Sequence, residues 1–252
     1  MTSLGTVLLA GTSFGQDMIG VDFHAGIWRI DSSTGAAAFQ GPSGIPHTVD
    51  AMAKDSAGRL FSRGHDGGGP ALIYEIDPVT GAATLVVQTS LPLISALAFG
   101  PGDVLYVINR THGCCKNNNL ETIDLETGSS RVIAALGPIS VVGLAYWDGL
   151  LYGWSVLGDP PCGLGLVTIH PVTGAVTDVN PSTYGCWNQV QALCFDSFGT
   201  LYGGNFTLYQ VDTTTADLIF VGGPLPDLRG MEFLGSPYPM SLEVSGSCGA
   251  AM

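Results

Sequence analysis

Positive charge is scarce in this chain. Lysine and arginine number 8 in 252 residues against 21 aspartates and glutamates, leaving a formal net charge of −13. Phosphate backbones and anionic lipid surfaces are gripped by clustered basic side chains, so nucleic acid and membrane surfaces are excluded as partners. Glutamate is rare as well: Glu75, Glu121, Glu126, Glu232 and Glu243 are the full set. The repeat pattern described below puts none of them in a loop of the binding face, which argues against a two-carboxylate glycosidase. No apolar run approaches the roughly 20 residues that cross a bilayer as a helix. Phosphate-binding loops and haem-attachment motifs are missing too, so nucleotide and c-type haem chemistry have no footing.

What the chain has in quantity is glycine (36), proline (15) and short apolar runs, with hydrophobic residues at 46%. That mixture suits an all-β protein rich in tight turns. The organising feature is a repeat. YEIDPVTGAATLV around Asp77 is a strand, an Asp-Pro-x-Thr-Gly turn and a second strand. It returns as WRIDSSTGAAAF, ETIDLETGSSRVI, VTIHPVTGAVTDV and, degenerate, YQVDTTTADLIFV, at intervals of 42 to 47 residues. Between these turns lies a second hairpin: VDAMAKDSAGRLFSRG, ISALAFGPGDVLYVIN, VVGLAYWDGLLYGWS and VQALCFDSFGTLYGGN. Two hairpins give four antiparallel strands in about 45 residues, the size of one propeller blade.

The expected fold is therefore an all-β, five-bladed β-propeller over residues 1–235, with a Pro/Ser/Gly-rich tail at 236–252. On this reading the N-terminal MTSLGTVLLAGTSF is no export signal, since it lacks a basic stretch. Its TVLLAG run, residues 6–11, serves as the second strand of blade 1, and 26–31 and 36–40 as the third and fourth. The first strand comes from the far end, in LRGMEFLG, and closes the ring. The repeats resemble those of bacterial β-propellers with YVTN- or NHL-like blades, of the form x-ALAF-x-x-x-G-x-LYG … LY-x-IDP-x-TGA. That resemblance covers nearly the whole chain and implies the fold, not an activity.

A propeller has two faces. The Asp-x-x-Thr-Gly turns and the Asp55–Gly58 type of turn mark one, the bottom, as scaffold. The connections assigned to the top are long and dissimilar: SFGQDMIGVDFHA, GPSGIPHT, RGHDGGGPA, NRTHGCCKNNN, LGDPPCGLG and NPSTYGCWNQ. Irregular loops on a rigid frame are where function concentrates. They carry His24, His47, His65 and His112, with Asp17, Asp22 and Asp66 beside them. Imidazoles with a carboxylate and one open position suit a catalytic zinc ion, which lowers the pKa of bound water to about 7. Calcium, favouring oxygen ligands such as Asn109, Asn117, Asn188 and Asn205 near Asp50, and manganese are alternatives. His170 replaces the Asp of a bottom turn and is assigned a capping role.

Aligning the innermost strands places Asp50, Ser95, Val142, Gln191 and Arg229 around the channel mouth. Asp50 is a candidate ligand or general base, and Arg229 would stabilise developing negative charge. Ser95 and Gln191, with Trp187 from a loop, would bind substrate. The same Asp50 and Arg229 could equally form an ion pair between neighbouring blades. Cys114, Cys115, Cys162 and Cys186 also fall on top, where a Cys162–Cys186 link is geometrically feasible, while Cys194 fits a buried core position. Such links imply an oxidising compartment, hence a secreted or periplasmic bacterial protein. The expectation is a monomeric metal-dependent hydrolase of a small ester, lactone or phosphoester. The alternative is a non-catalytic binding propeller for a glycan or protein.

Overall fold

The computed structural model describes residues 17–65, 69–112, 116–156, 164–183 and 189–235. Their strands assemble into five antiparallel sheets of four strands each. Blade 2 comprises β4 (Thr48–Lys54), β5 (Leu60–His65), β6 (Leu72–Ile76) and β7 (Ala83–Gln88), and blade 3 comprises β8 (Ile94–Phe99), β9 (Leu105–His112), β10 (Lys116–Ile123) and β11 (Ser130–Gly137). Blade 4 follows with β12 (Val141–Trp147), β13 (Leu150–Ser155), β14 (Gly165–Ile169) and β15 (Val176–Asp178). Blade 5 is β16 (Ala192–Phe195), β17 (Leu201–Gly204), β18 (Leu208–Val211) and β19 (Leu218–Gly222). Blade 1 joins the two ends of the chain: β20 (Leu228–Phe233) pairs with β1 (Asp17–Asp22), then β2 (Gly26–Asp31) and β3 (Ala37–Pro42).

Side chains alternate across a strand, and here both faces of each inner strand are covered by neighbouring blades. On β1, Met18 packs toward blade 5 with Cys194 and Tyr202, whereas Ile19 packs toward blade 2 with Val49 and Met52. Five such clusters sit between successive blades, so the core is a ring of interfaces around the axis. The inner strands approach closely. A Cβ added at Gly230 on β20 would come within 2.3 Å of the Met52 nitrogen on β4. Only glycine fits that contact.

The repeated turns work as their residues dictate. Asp77 Oδ1 accepts the N–H groups of Val79 (2.7 Å) and Thr80 (3.1 Å), and Gly81 at φ +78° donates to the Asp77 carbonyl at 2.8 Å. These bonds favour the carboxylate, and they draw Asp77 below its ordinary range, as happens at Asp31, Asp124 and Asp212. His170 fills the same role through Nδ1, which accepts from Val172 and Thr173 at 3.2 and 3.3 Å. The bottom hairpins are scaffold, as the sequence pattern indicated.

One strand assignment is corrected. The second strand of blade 1 is Asp17–Asp22, not the TVLLAG run, which lies outside the described residues. Both runs are apolar. The nearer one wins because a tight turn at Asp22–Gly26 brings it directly onto β2. The expected long top loop containing DMIGVD is therefore mostly strand, and Asp17 sits opposite Asp31, at the bottom end of the blade.

Candidate functional site

The strand starts converge on the top of the channel as the alignment required. Asp50, Ser95, Val142, Gln191 and Arg229 all line one pocket of about 40 Å³, together with Leu93 and Arg110. At roughly 10–15 Å³ per enclosed water, that is room for about three waters or one carboxylate-sized group. Below it the channel narrows to a space of about 10 Å³ among small and apolar residues such as Ala51, Ala96, Gly143 and Ala192. The axis is plugged.

Electrostatics define the pocket. Asp50 pairs with Arg63, whose guanidinium is fully buried, and stands 3.7 Å from Arg229 Nη1. Arg229 is held by a two-point contact to Asp227 (3.0 and 2.8 Å) and lies 4.6 Å over the Phe23 ring. Burial pulls Arg63 below its ordinary value; Asp50 opposes that, and the nearby charge of Arg110 adds to it. The Nε and Nη2 groups of Arg63 have no hydrogen-bond partner among the described residues. Among the described residues, three of the chain's eight cationic residues and two carboxylates meet at one opening of a protein of net charge −13.

The expected roles shift accordingly. Asp50 is engaged by two guanidiniums, a poor arrangement for a general base. The inter-blade ion pair with Arg229 exists and extends to Arg63 and Asp227. The Ser95 hydroxyl donates to the Val141 carbonyl at 2.7 Å and joins blade 3 to blade 4. Arg63, Arg110 and Asp227 were missed by the sequence reading. The signal was present, since arginine is rare here and Arg63 closes the Leu60-Phe61 strand at the level of Asp50.

His24, His47 and His65 lie at the top ends of blades 1 and 2. His24 is exposed in the β1–β2 turn, where Asp22 accepts the N–H groups of His24, Gly26 and the Trp28 indole at 2.8–2.9 Å. Asp22 is thereby committed to the turn. Thr48 is in register with His65, so half-buried His47 and His65 flank the same rim of blade 2. A zinc site needs at least three protein ligands. Among the described residues no three His, Cys, Asp or Glu side chains are grouped closely enough to hold a metal ion. The His112 ring, Asp66, Trp187 and the cysteines at 114, 115, 162 and 186 lie outside the described side chains. Asn109 is buried with its amide on Glu121 (2.7 Å), and Asn205 is fully buried, so neither offers a calcium ligand or an accessible glycosylation site.

The bottom mouth, expected to be silent, holds a larger pocket of about 50 Å³. Lys54 lies in its floor, buried, with Nζ donating to the carbonyls of Phe233 and Gly235 (2.6 Å for the latter). Beside it Glu232 is pushed up to about 8 by burial, against the opposing charge of Lys54. Burial also pulls Lys54 down and the Cys194 thiol well up. Phe99, Tyr146, Trp147 and Phe195 form walls, with Trp147 stacked on Phe195 at 5.4 Å.

Fold and site together define a five-bladed β-propeller with a plugged channel and two chemically distinct mouths. No protein-family model and no curated protein sequence matches the chain. Solved structures do. A symmetrical protein studied for its de novo evolutionary emergence matches at 18% identity, covering 89% of this chain and 99% of that one, with a TM-score of 0.56. TolB from Acinetobacter baumannii matches at 15% identity, covering 85% of this chain and 54% of that one, at 0.53. A gluconolactonase from Xanthomonas campestris matches at 14%, covering 85% and 78%, at 0.51. At these identities the likeness establishes the propeller fold alone.

Proposed function

We propose that this protein is a binding propeller whose top mouth receives one anionic group, a carboxylate or similarly sized oxyanion, on a polar small molecule or glycan. The observation that carries the reading is the pair of guanidiniums, Arg110 and Arg229, in the lining of a semi-enclosed pocket, with buried Arg63 beside Asp50. Guanidinium groups so placed favour a bidentate anion. The Gln191 side chain adds polar recognition, and the plug below sets the depth of entry. Calorimetric titration with acetate and phosphate tests it. Saturable binding that weakens steeply with salt and is lost in Arg229→Gln is expected. An Arg229→Gln variant that binds as the wild type does would overturn it.

A second reading, metal-dependent hydrolysis of a small ester, lactone or phosphoester, is favoured by the adjacency of His47 and His65 on one rim and by the gluconolactonase among the structural neighbours. Zinc is the metal that such imidazoles would prefer, with calcium or manganese as alternatives. A panel of chromogenic esters and a sugar lactone, assayed with and without chelator beside elemental analysis, separates the two readings. Chelator-sensitive turnover establishes the second; binding without turnover or bound metal leaves the first. Secretion and a monomeric state belong to the proposal too, and size-exclusion chromatography with light scattering checks the latter.

A further inference from the structure

We propose that the bottom mouth of the channel is a separate ligand site, which takes a short monocarboxylate with an apolar tail and pairs its carboxylate with Lys54. The pocket of about 50 Å³ has room for a carboxylate and a few carbons, with the remainder of a longer tail lying over the aromatic walls. Among the described residues Lys54 is the sole cation of the lining, and it is 7% exposed. Two of its three N–H groups reach the Phe233 and Gly235 carbonyls, and the third has no partner among the described residues.

The local carboxylates do not already neutralise it. Asp55 accepts the Arg59 N–H and Nε at 2.8 and 2.7 Å, and Asp103 accepts the Ser56 N–H and hydroxyl, both at 2.8 Å. Glu232, with its value near 8, is mostly protonated at neutral pH and offers an O–H donor in place of a counter-charge. A buried ammonium without a full counter-ion favours an incoming anion. Phe99, Tyr146, Trp147 and Phe195 favour an apolar tail over a hydroxylated one. The plug between the mouths makes this site independent of the one above.

The test uses the full chain, titrated with propionate and benzoate by calorimetry and by NMR of the Trp147 indole, well below the Glu232 value of about 8. Saturation in the millimolar range with a shift of the Trp147 signal is expected. Lys54→Met should weaken binding by about tenfold or more, the loss of one charge-assisted bond. Trp147→Ala should weaken benzoate about threefold while sparing formate, and Arg229→Gln should change nothing. If Lys54→Met does not fold, the contrast between Trp147→Ala and Arg229→Gln decides. The proposal falls if neither acid saturates, if a folded Lys54→Met keeps wild-type affinity, or if tetramethylammonium binds in place of the acids.

Discussion

Among the described residues, the top mouth has three guanidiniums facing two carboxylates and no aromatic ring in its lining; at the bottom one ammonium lies beside a protonated glutamate among four aromatic rings. Both openings are made from the ends of the same inner strands. On β4 the residue entering the channel is Asp50 and the residue leaving it is Lys54; on β20 Arg229 holds the position of Asp50, while Glu232 falls one residue short of that of Lys54, which is taken by Phe233. Adjacent inner strands thus bring an acid near a base at both ends, in register above and offset by one residue below. The difference lies in what surrounds the pair. At the top Arg63 and Arg229 hold Asp50 ionically, whereas at the bottom burial outweighs the charge of Lys54 and keeps Glu232 protonated. Charge compensation is by ion pairing above and by proton uptake below.

The largest expected effect breaks the upper half of this contrast. Arg63→Met keeps the apolar stem and removes the buried charge, leaving Asp50 with the more distant Arg229. Losing one partner of a buried pair costs about 3 kcal/mol, and urea unfolding should show a loss of that order together with loss of acetate binding. A variant as stable as the wild type would mean that the Arg63–Asp50 pair contributes nothing to the fold.

Lys54→Met probes the lower mouth and ranks next. The ammonium ties blade 2 to the carbonyls at the end of the closing strand, so its removal should cost about 2 kcal/mol, within the range for bonds to a charged group. Hydrogen exchange should show the loss concentrated at β20 and β1, where the ring closes. Uniform loosening of all five blades would argue that Lys54 is not a latch.

The repeat made the blades legible because each is buried on both faces, so strand, turn and strand recur with little latitude. The ring of residues at the top mouth was legible for the same reason: Asp50, Ser95, Val142, Gln191 and Arg229 occupy one register position, and that position sets where they meet. The partners that give the site its character were not legible. Arg63 and Arg110 come from the second strands of blades 2 and 3, and Asp227 from the approach to β20, so they reach the mouth by side-chain length rather than by register. The lower pocket was hidden differently. Its lysine and glutamate look like ordinary hairpin ends until the closing strand brings them together across the gap between the two ends of the chain. The first strand of blade 1 was assigned correctly and the second was not, because two apolar runs precede the first turn and hydropathy alone does not choose between them.

Glu232→Gln sharpens the lower mouth through pH. In the folded protein Glu232 holds its proton up to about 8, well above the ordinary 4.5. The folded state therefore binds that proton where the unfolded state has released it. The resulting stability is complete below about 4.5 and is lost as pH rises through about 8. Lys54 works in the opposite sense at more alkaline pH, since burial lowers its value and the folded state releases that proton first; the Cys194 thiol, pushed up by burial, adds to the loss at high pH. Glutamine imitates the protonated acid, so relative to its own value below about pH 4.5 the variant should hold its urea midpoint while the wild type falls progressively as pH rises toward 8. Parallel midpoint curves for the two proteins would show that Glu232 keeps its ordinary value in the fold.

The smallest effect concerns the bottom turns, which frame the lower mouth without entering it. Asp77→Ala removes an acceptor of two backbone N–H groups in an exposed turn, and loss of such a turn acceptor should lower stability only slightly. The folded carboxylate is held below its ordinary value by those bonds, so its contribution is present above the unfolded value and fades as pH falls through the folded one. Unfolding measurements should therefore show wild type and variant converging in acid, while binding at both mouths stays unchanged. His170→Ala removes the matching acceptor of the Val172 and Thr173 N–H groups, so it should loosen its own turn in the same way.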